Sequence, residues 1–522
     1  MMSVTNKSPQ KISIKRILFV EPAGTYLAKS NGEVSRKHIL PPLGPAMIAA
    51  VAERAGYEVQ ILDIPSEGFE NEKLYKVDPW TGHKTYEYGL SNEEIIRRIE
   101  QFDPQVIGVS NAQAIRFEQT VHFCRLVKDK FPDKVVIVGG SNATVMYDEY
   151  LAENCADLIA LGEGEDIILD ILNCLEKKPE ELAQIDGLVC NGYKGMQFVN
   201  PKTKWRSSIM DLPPYAWHLL PMSLYGAIAD RQLVNTKIDY VSNNRFIAYF
   251  SSRGCPHSCT YCAIRLTWGH KFRYWDALKV VDEMQMISEK YGIKELHFLD
   301  SNFLANRQRA TEICHELIKR RLDIQWCVPP GFEIHLLDPE LMNTLRAAKC
   351  YAIYLPIESG NQEQLNYLSS RFRKTKSVNL NKVKEVISRG HDLGFYLSGY
   401  FMVGFPHETK DDMIRTTDFA ASLGLDGSHF FVATPLKGTE LYKQCMENGY
   451  LTYGWHSYRM RYSIGNIGTK EFDPSFTEEM RRTGWLKVMA ASPKTKQSFE
   501  DMVVEPHQQI KAAVKLLSNS SS

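Results

Sequence analysis

An α/β protein in two parallel-sheet units is the fold class this chain predicts, and three observations lead there. Short, wholly apolar runs alternate with amphipathic helical stretches from Ile17 to Leu175, as expected of strands covered on both faces of a parallel sheet. The periodicity lapses between about 185 and 244, around the proline-rich Asp211-Leu212-Pro213-Pro214-Tyr215-Ala216-Trp217. It resumes at Phe246 with six more strands separated by helices, which predicts a partial (β/α)6 barrel open on one side. The expected layout is a doubly wound, Rossmann-like domain over 13–184, a linker over 185–244, a barrel over 245–450 and a small C-terminal region over 451–522.

Taken in order, Ile17-Leu18-Phe19-Val20 is a buried strand, 44–56 a helix and Val59 to Leu62 a second strand. Ser91-Asn92-Glu93-Glu94 opens a helix with a cap and an acidic first turn. Further strands fall at Val106 to Ser110, Val135 to Gly140 and Leu158 to Leu161, with helices over 117–130 and 165–175. Ligands of such sheets bind at the carboxyl ends of the strands. The loops there offer Ser110, Asn111 and Gln113, then Gly139, Gly140 and Ser141, then Gly162, Glu163 and Gly164. No G-x-G-x-x-G follows the first strand, so a nicotinamide site is not indicated. In the second unit a helix is expected over 277–291 and strands over 295–299, 324–328, 351–357, 396–403 and 429–433.

Lys plus Arg and Asp plus Glu are 62 each, so no net field draws nucleic acid or an anionic membrane. Eleven cysteines in 522 residues do not make a disulfide scaffold. The opening residues lack the apolar core of a signal peptide, and no run approaches the roughly 18 apolar residues of a membrane span. A cytoplasmic protein acting on a small molecule is expected.

Chemistry is declared by Cys255, Cys259 and Cys262, three thiols at C-x3-C-x2-C spacing on the loop that the first barrel strand delivers. A structural zinc site wants four protein ligands, and here His257 or His270 would have to complete it. A four-iron cluster held by three thiolates instead leaves one iron open. Carrying aromatic Tyr261 before its last cysteine, the loop resembles that of the radical S-adenosylmethionine (SAM) superfamily. The resemblance implies a [4Fe-4S] cluster on the three cysteines, SAM chelating the open iron, and one-electron cleavage of SAM to a 5'-deoxyadenosyl radical. The electron would come from an external donor such as flavodoxin or ferredoxin.

A doubly wound domain with Pro41-Pro42-Leu43-Gly44 ahead of this loop is similar to the cobalamin-binding class of the superfamily. That implies methylcobalamin as a further cofactor. The D-x-H-x-x-G pattern that supplies a lower cobalt ligand elsewhere is missing; His38 and His122 lack that context, and Asn111 to Gln113 is the candidate to approach the lower face. In the barrel, the resemblance assigns SAM contacts to Tyr261, Asp300, Asn302, Glu358, Ser359 and Gly404. Asp300 and Asn302 stand where the superfamily uses Gly-Gly-Glu for the methionine amine. His297 reads as a core residue, Trp205 and Trp217 as packing aromatics, and Cys314, Cys327, Cys350 and Cys445 as packing thiols.

Within the class, Trp268-Gly269-His270-Lys271-Phe272-Arg273 and Ala433-Thr434-Pro435-Leu436-Lys437-Gly438-Thr439 resemble the phosphonate methylases of the fosfomycin and phosphinothricin antibiotic pathways. The expected function is methylation of an unactivated carbon or phosphorus, with Lys271 and Arg273 candidates to hold phosphonate oxygens. The alternatives are ring contraction or cyclisation with the same cofactors, and a cobalamin-sensing module whose cysteine loop is structural.

Overall fold

The computed structural model describes residues 12–35, 37, 39–225, 246–370 and 378–492. Two compact units divide at Tyr225/Gly226, except that 263–269 belongs with the first.

In the first unit, β1 (Arg16–Glu21), β3 (Glu58–Asp63), β6 (Val106–Ser110), β7 (Val135–Gly139) and β8 (Leu158–Ala160) form a parallel sheet in the order β3-β1-β6-β7-β8. The chain moves from β1 to one side and returns to the other, so a switch point lies between β1 and β6, where open α/β sheets bind ligands. These strands are the apolar runs read above, buried nearly throughout. The expected helices are present as α1 (Leu43–Arg54), α3 (Asn92–Phe102), α4 (Phe117–Lys130) and α7 (Gly164–Lys177), with short α2 (Ile64–Glu67), α5 (Ser141–Val145) and α6 (Tyr147–Glu153) between them. The cap at α3 is as read: Ser91 Oγ accepts from Glu94 N at 3.3 Å.

Two features depart from expectation. The sheet does not stop before 185: β9 (Leu188–Asn191) and β10 (Gln197–Val199) add antiparallel strands at its edge, so this part of the expected linker is sheet. A separate antiparallel sheet, β2 (Gly24–Ala28), β5 (Lys84–Tyr88) and β4 (Glu72–Val77), occupies what reads as an insert. From Asp211 to Tyr225 the connector packs on the first unit. Ala216 N donates to Ala46 O at 3.1 Å, Trp217 is buried, and the Tyr225 hydroxyl donates to Asp63 at 2.8 Å. The rest of the expected linker, 226–244, and His38 lie outside the described residues.

The second unit carries six parallel strands. β11 (Phe246–Tyr249), β14 (Glu295–Phe298) and β15 (Gln325–Cys327) form one run, and β16 (Ala352–Glu358), β17 (Tyr396–Val403) and β18 (Gly427–Val432) another. A parallel bridge between Trp326 and Cys350 joins the runs, so the partial (β/α)6 barrel is observed. Flanking helices include α9 (Ala277–Tyr291), α10 (Arg307–Arg320) and α16 (Pro474–Ala491), after the short α8 (Ile264–Trp268) of the first unit. α16 packs on β18, where Gly484 lets the backbone approach Phe430. That helix covers the helical side of the last strand, whereas Tyr462 O accepts from Val432 N at 2.8 Å at the strand's carboxyl end.

Candidate active site

The cysteine loop leaves the carboxyl end of β11, the end at which barrel enzymes place their chemistry. Its neck is a two-stranded antiparallel ladder, β12 (Ser252–Arg253) against β13 (Arg273–Tyr274). Gly254 sits at φ +79°, and a Cβ there would lie 2.2 Å from Lys271 O, so only glycine lets the neck close. Cys255 is buried, Cys259 and Cys262 are half-buried, and none of the three is in a disulfide. Among the described residues, no three His, Cys, Asp or Glu side chains are gathered closely enough to hold a metal ion as they stand. The three expected ligands share one loop.

The loop is pinned at three places. Asp300 accepts from the N–H groups of Ser251 (2.6 Å) and Ser252 (3.2 Å) and from their hydroxyls (2.6 and 2.7 Å). Buried Arg309 donates to Ser251 O at 2.9 Å and Trp275 O at 2.7 Å. Burial pushes the Asp300 carboxyl up, against the opposing pull of Arg309 and the serines. Asp300, expected to touch SAM, is completely buried with its carboxylate engaged by the neck.

In mid-loop, His257 Nε2 meets Glu333 Oε1 at 2.7 Å, and Asn302 Nδ2 donates to the same oxygen. Asn302 is therefore also committed to protein rather than open to ligand. Burial would raise the Glu333 carboxyl, but these two donors outweigh it and hold it below its usual value. His257 Nδ1 is buried without a partner, while His270 is exposed.

At the loop's end, the Tyr261 hydroxyl donates to Glu358 Oε1 at 2.9 Å, and Thr260 O accepts from Leu441 N at 3.0 Å. Tyr261 leans on Phe405, ring centroids 5.6 Å apart. Phe405 is held by Glu408, whose Oε2 accepts from Gly404 N and Phe405 N, both at 2.7 Å. Burial raises the Glu408 carboxyl to about 8. The Ser359 hydroxyl is shared with Thr416 (3.1 Å) and accepts from Asn361 N (3.1 Å). Gly404 abuts Thr477. Tyr261, Glu358 and Gly404 are thus brought beside the cysteine loop.

Several of these partners were invisible to sequence reading. Arg309 and Glu333 carry no motif of their own, whereas Glu408 belongs to the Gly404-Phe405-Pro406-His407-Glu408-Thr409 turn that the sequence does single out. His297 is not simple packing; it joins Glu295 (2.7 Å) and Tyr351 (3.2 Å) inside the barrel. Lys271 is exposed, whereas Arg273 is buried in the neck, in register with buried Arg253.

At the carboxyl edge of the first unit, Asn111 is completely buried. Its amide donates to Asn142 (3.0 Å) and Tyr150 (2.9 Å), and its Oδ1 accepts from Gln113 N (2.9 Å). It braces the loops from within, and Ala112 and Gln113 are the exposed members of the segment expected to approach the corrinoid. Gly140, at φ +98°, is required because a Cβ would lie 2.5 Å from Asn111 O. Gly139 and Ser141 flank it, half-buried, and Ser110 ends β6 beside Gly44. Gly162 packs against Lys202 and Trp205, Glu163 is buried, and Gly164 packs against Ile48. At the switch point, Arg116 pairs with Glu21, whose carboxyl burial raises to about 7.

Residues 34–172 match the B12 binding domain, and residues 249–420 match the Radical SAM superfamily. The chain thus carries a B12-binding domain followed by a Radical SAM domain, which imply cobalamin in the first and a [4Fe-4S] cluster with SAM in the second. It is 28% identical over 490 residues to the cytidylyl-2-hydroxyethylphosphonate methyltransferase of Streptomyces wedmorensis, covering 88% of this chain and 87% of that one. An uncharacterized methyltransferase of Pyrococcus horikoshii is 26% identical over 449 residues, 85% of this chain and 86% of its own. The fold is shared with the radical SAM methyltransferase TsrM of Kitasatospora setae, solved with cobalamin and a [4Fe-4S] cluster bound, at TM-score 0.63 and 16% identity over 90% of this chain and 85% of that one.

The cofactor set can be tested against the residues. Three thiols outside any disulfide on one glycine-necked loop are the soft donor set an iron–sulfur cluster requires, and His257 Nδ1 beside them is buried without a hydrogen-bond partner. The residues fit. No helix of the described residues is long and apolar enough to cross a membrane.

Proposed function

We propose that this enzyme methylates an unactivated carbon or phosphorus of a phosphonate or nucleotidyl-phosphonate, in a cytoplasmic antibiotic or related natural-product pathway, drawing electrons from a flavodoxin or ferredoxin. The observation that carries the substrate class is the 28% identity to the cytidylyl-2-hydroxyethylphosphonate methyltransferase, which runs through both domains. Arg253 and Arg273, set opposite one another in the neck, are guanidinium groups of the kind that recognise phosphonate oxygens.

Cys255, Cys259 and Cys262 would hold the cluster, and the Gly139 to Ser141 and Gln113 loops would border the corrinoid. When bound, the cofactors supply a hydrogen-abstracting radical and a transferable methyl group; the protein supplies position and dryness. Asp300 and Arg309 set where the cysteine loop starts. Tyr261, Glu358 and the Gly404-Phe405 turn set where it ends.

The test is anaerobic reconstitution with iron, sulfide, SAM and cobalamin, then incubation with cytidylyl-2-hydroxyethylphosphonate. A product heavier by one methyl group supports the reading. A product of unchanged mass, formed with deoxyadenosine, would replace it by rearrangement. Deoxyadenosine formation that survives replacement of all three cysteines by alanine would end it.

A further inference from the structure

We propose that the inward face of β16, β17 and β18 is a stacking site for the pyrimidine base of the substrate, built by Tyr354, Tyr400, His429 and Phe431. The inference rests on the nucleotidyl-phosphonate reading above and adds where and how the nucleotide is held.

Successive residues of a strand point to opposite faces, and on these strands the two faces differ. Phe401 and Phe430, stacked at 4.9 Å, turn to the helices, where Gly484 of α16 meets the Phe430 ring. They are 0% and 4% exposed. Their chain neighbours Tyr400, His429 and Phe431 turn the other way, into the barrel, and are only half-buried. A barrel whose interior were ordinary core would bury them as completely as the helical side. The interior here is open, and aromatic rings line it, as they line small-molecule sites.

Parallel register sets Tyr400 opposite His429 and Met402 opposite Phe431. Tyr354 pairs with Ser398, below Tyr400, and stacks on the Tyr400 ring at 5.7 Å and 24°. Tyr400 meets His429 at 5.2 Å and Phe431 at 5.6 Å, and the His429 and Phe431 rings are parallel within 11°. The series climbs from mid-strand to the carboxyl end, where Phe431 and Tyr261 pack on one cluster with Met402 and Phe405. A flat group laid along it directs the rest of its molecule toward the cysteine loop.

Chemistry selects the occupant. Aromatic rings offer π faces, on which a base stacks. Phosphonate oxygens call instead for guanidinium or ammonium groups. The Tyr400 hydroxyl donates to Pro329 O, so its proton is committed and its ring face is what it offers a base.

The experiment uses the full chain loaded with cluster and cobalamin, without reductant, and measures binding by anaerobic equilibrium dialysis. The probes are cytidine monophosphate and SAM. Wild type is expected to bind both. Tyr400→Leu and Phe431→Leu keep an apolar side chain but lose the ring, and each should weaken cytidine monophosphate about tenfold, the scale of one lost base stack. Tyr400→Phe keeps the ring and should bind the nucleotide as wild type does. SAM affinity should match wild type in every variant. Iron content and melting temperature are measured alongside, and if one leucine variant does not fold, the other carries the comparison with Tyr400→Phe. The proposal is overturned if wild type does not bind cytidine monophosphate, if a folded leucine variant binds it as wild type does, or if Tyr400→Phe loses it. It is also overturned if SAM affinity falls as far as that for the nucleotide, which would assign the rings to the adenine of the cofactor. Cytidine monophosphate has no phosphonate, so a failure of methyl transfer leaves this result standing. A protein that methylates the phosphonate but ignores the nucleotide overturns this proposal alone.

Discussion

The Tyr261 hydroxyl donates to Glu358 at 2.9 Å across 97 residues of chain, and Glu358 is held at φ +69° to receive it. A left-handed backbone at a residue other than glycine costs on the order of 1 kcal/mol or more and persists only where its surroundings enforce it. The bulge between Pro356 and Glu358 and the neighbouring Ser359–Thr416 contact supply that enforcement. The strain therefore marks the place where the end of a barrel strand meets the cysteine loop.

Tyr261→Phe removes this hydrogen bond and keeps the ring against Phe405. Burial and the Glu358 charge hold the phenol well above its usual value, so the wild-type hydroxyl stays a donor at neutral pH. The substitution is expected to slow SAM cleavage about tenfold, the factor that roughly 1.4 kcal/mol represents. Iron content should remain that of wild type. Deoxyadenosine formation and iron per chain, measured on one preparation, decide it.

Asp300→Ala strips four hydrogen bonds from the neck and leaves the Arg309 guanidinium buried without its counter-charge. Such an orphaned charge costs about 3 kcal/mol or more. The melting temperature should fall by several degrees and iron incorporation should drop, with both read on reconstituted protein. A variant with unchanged iron content would show that Asp300 does not set the loop.

Gly254→Ala places a methyl group 2.2 Å from Lys271 O, at a backbone φ of +79°. The neck has to open, because the obstacle is main chain and not a flexible side chain. Cluster absorbance after reconstitution should fall to a small fraction of the wild-type value, while the first unit still takes up cobalamin.

Glu408 makes stability depend on pH. Its carboxyl, raised to about 8 by burial, stays protonated in the folded chain where the unfolded chain, near 4.5, has lost its proton. The folded state binds more protons between those values, so this group's contribution is fully present below about 4.5 and is lost as pH rises through about 8. The loss is a few kcal/mol at about 1.4 per unit. Glu408→Gln, which can still accept from Gly404 N and Phe405 N, should flatten the fall in urea midpoint between pH 5 and pH 8. An unchanged slope would show that the carboxyl titrates normally.

Reading residues in order recovered the strands best where burial was complete. Val106 to Ser110 and Tyr396 to Val403 were legible because a strand covered on both faces has to be apolar nearly throughout. Glu72 to Val77 was not, since its side chains are mostly exposed and it becomes a strand only through pairing with Lys84 to Tyr88. Leu188 to Asn191 was missed because four residues, though paired on both sides, carry too short a pattern to stand out from a connector.

The same division runs through the site. Local spacing settled where the thiols lie and which class of chemistry they serve, because Cys255, Cys259 and Cys262 need only be neighbours in the chain to share a loop. Whether a polar side chain at a strand end faces ligand or protein depends on groups distant in sequence. Asp300 is spent on serines 48 and 49 residues away, and Glu333 reaches His257 across 76. Those pairings are products of strand order and barrel closure, so the folded chain alone assigned them.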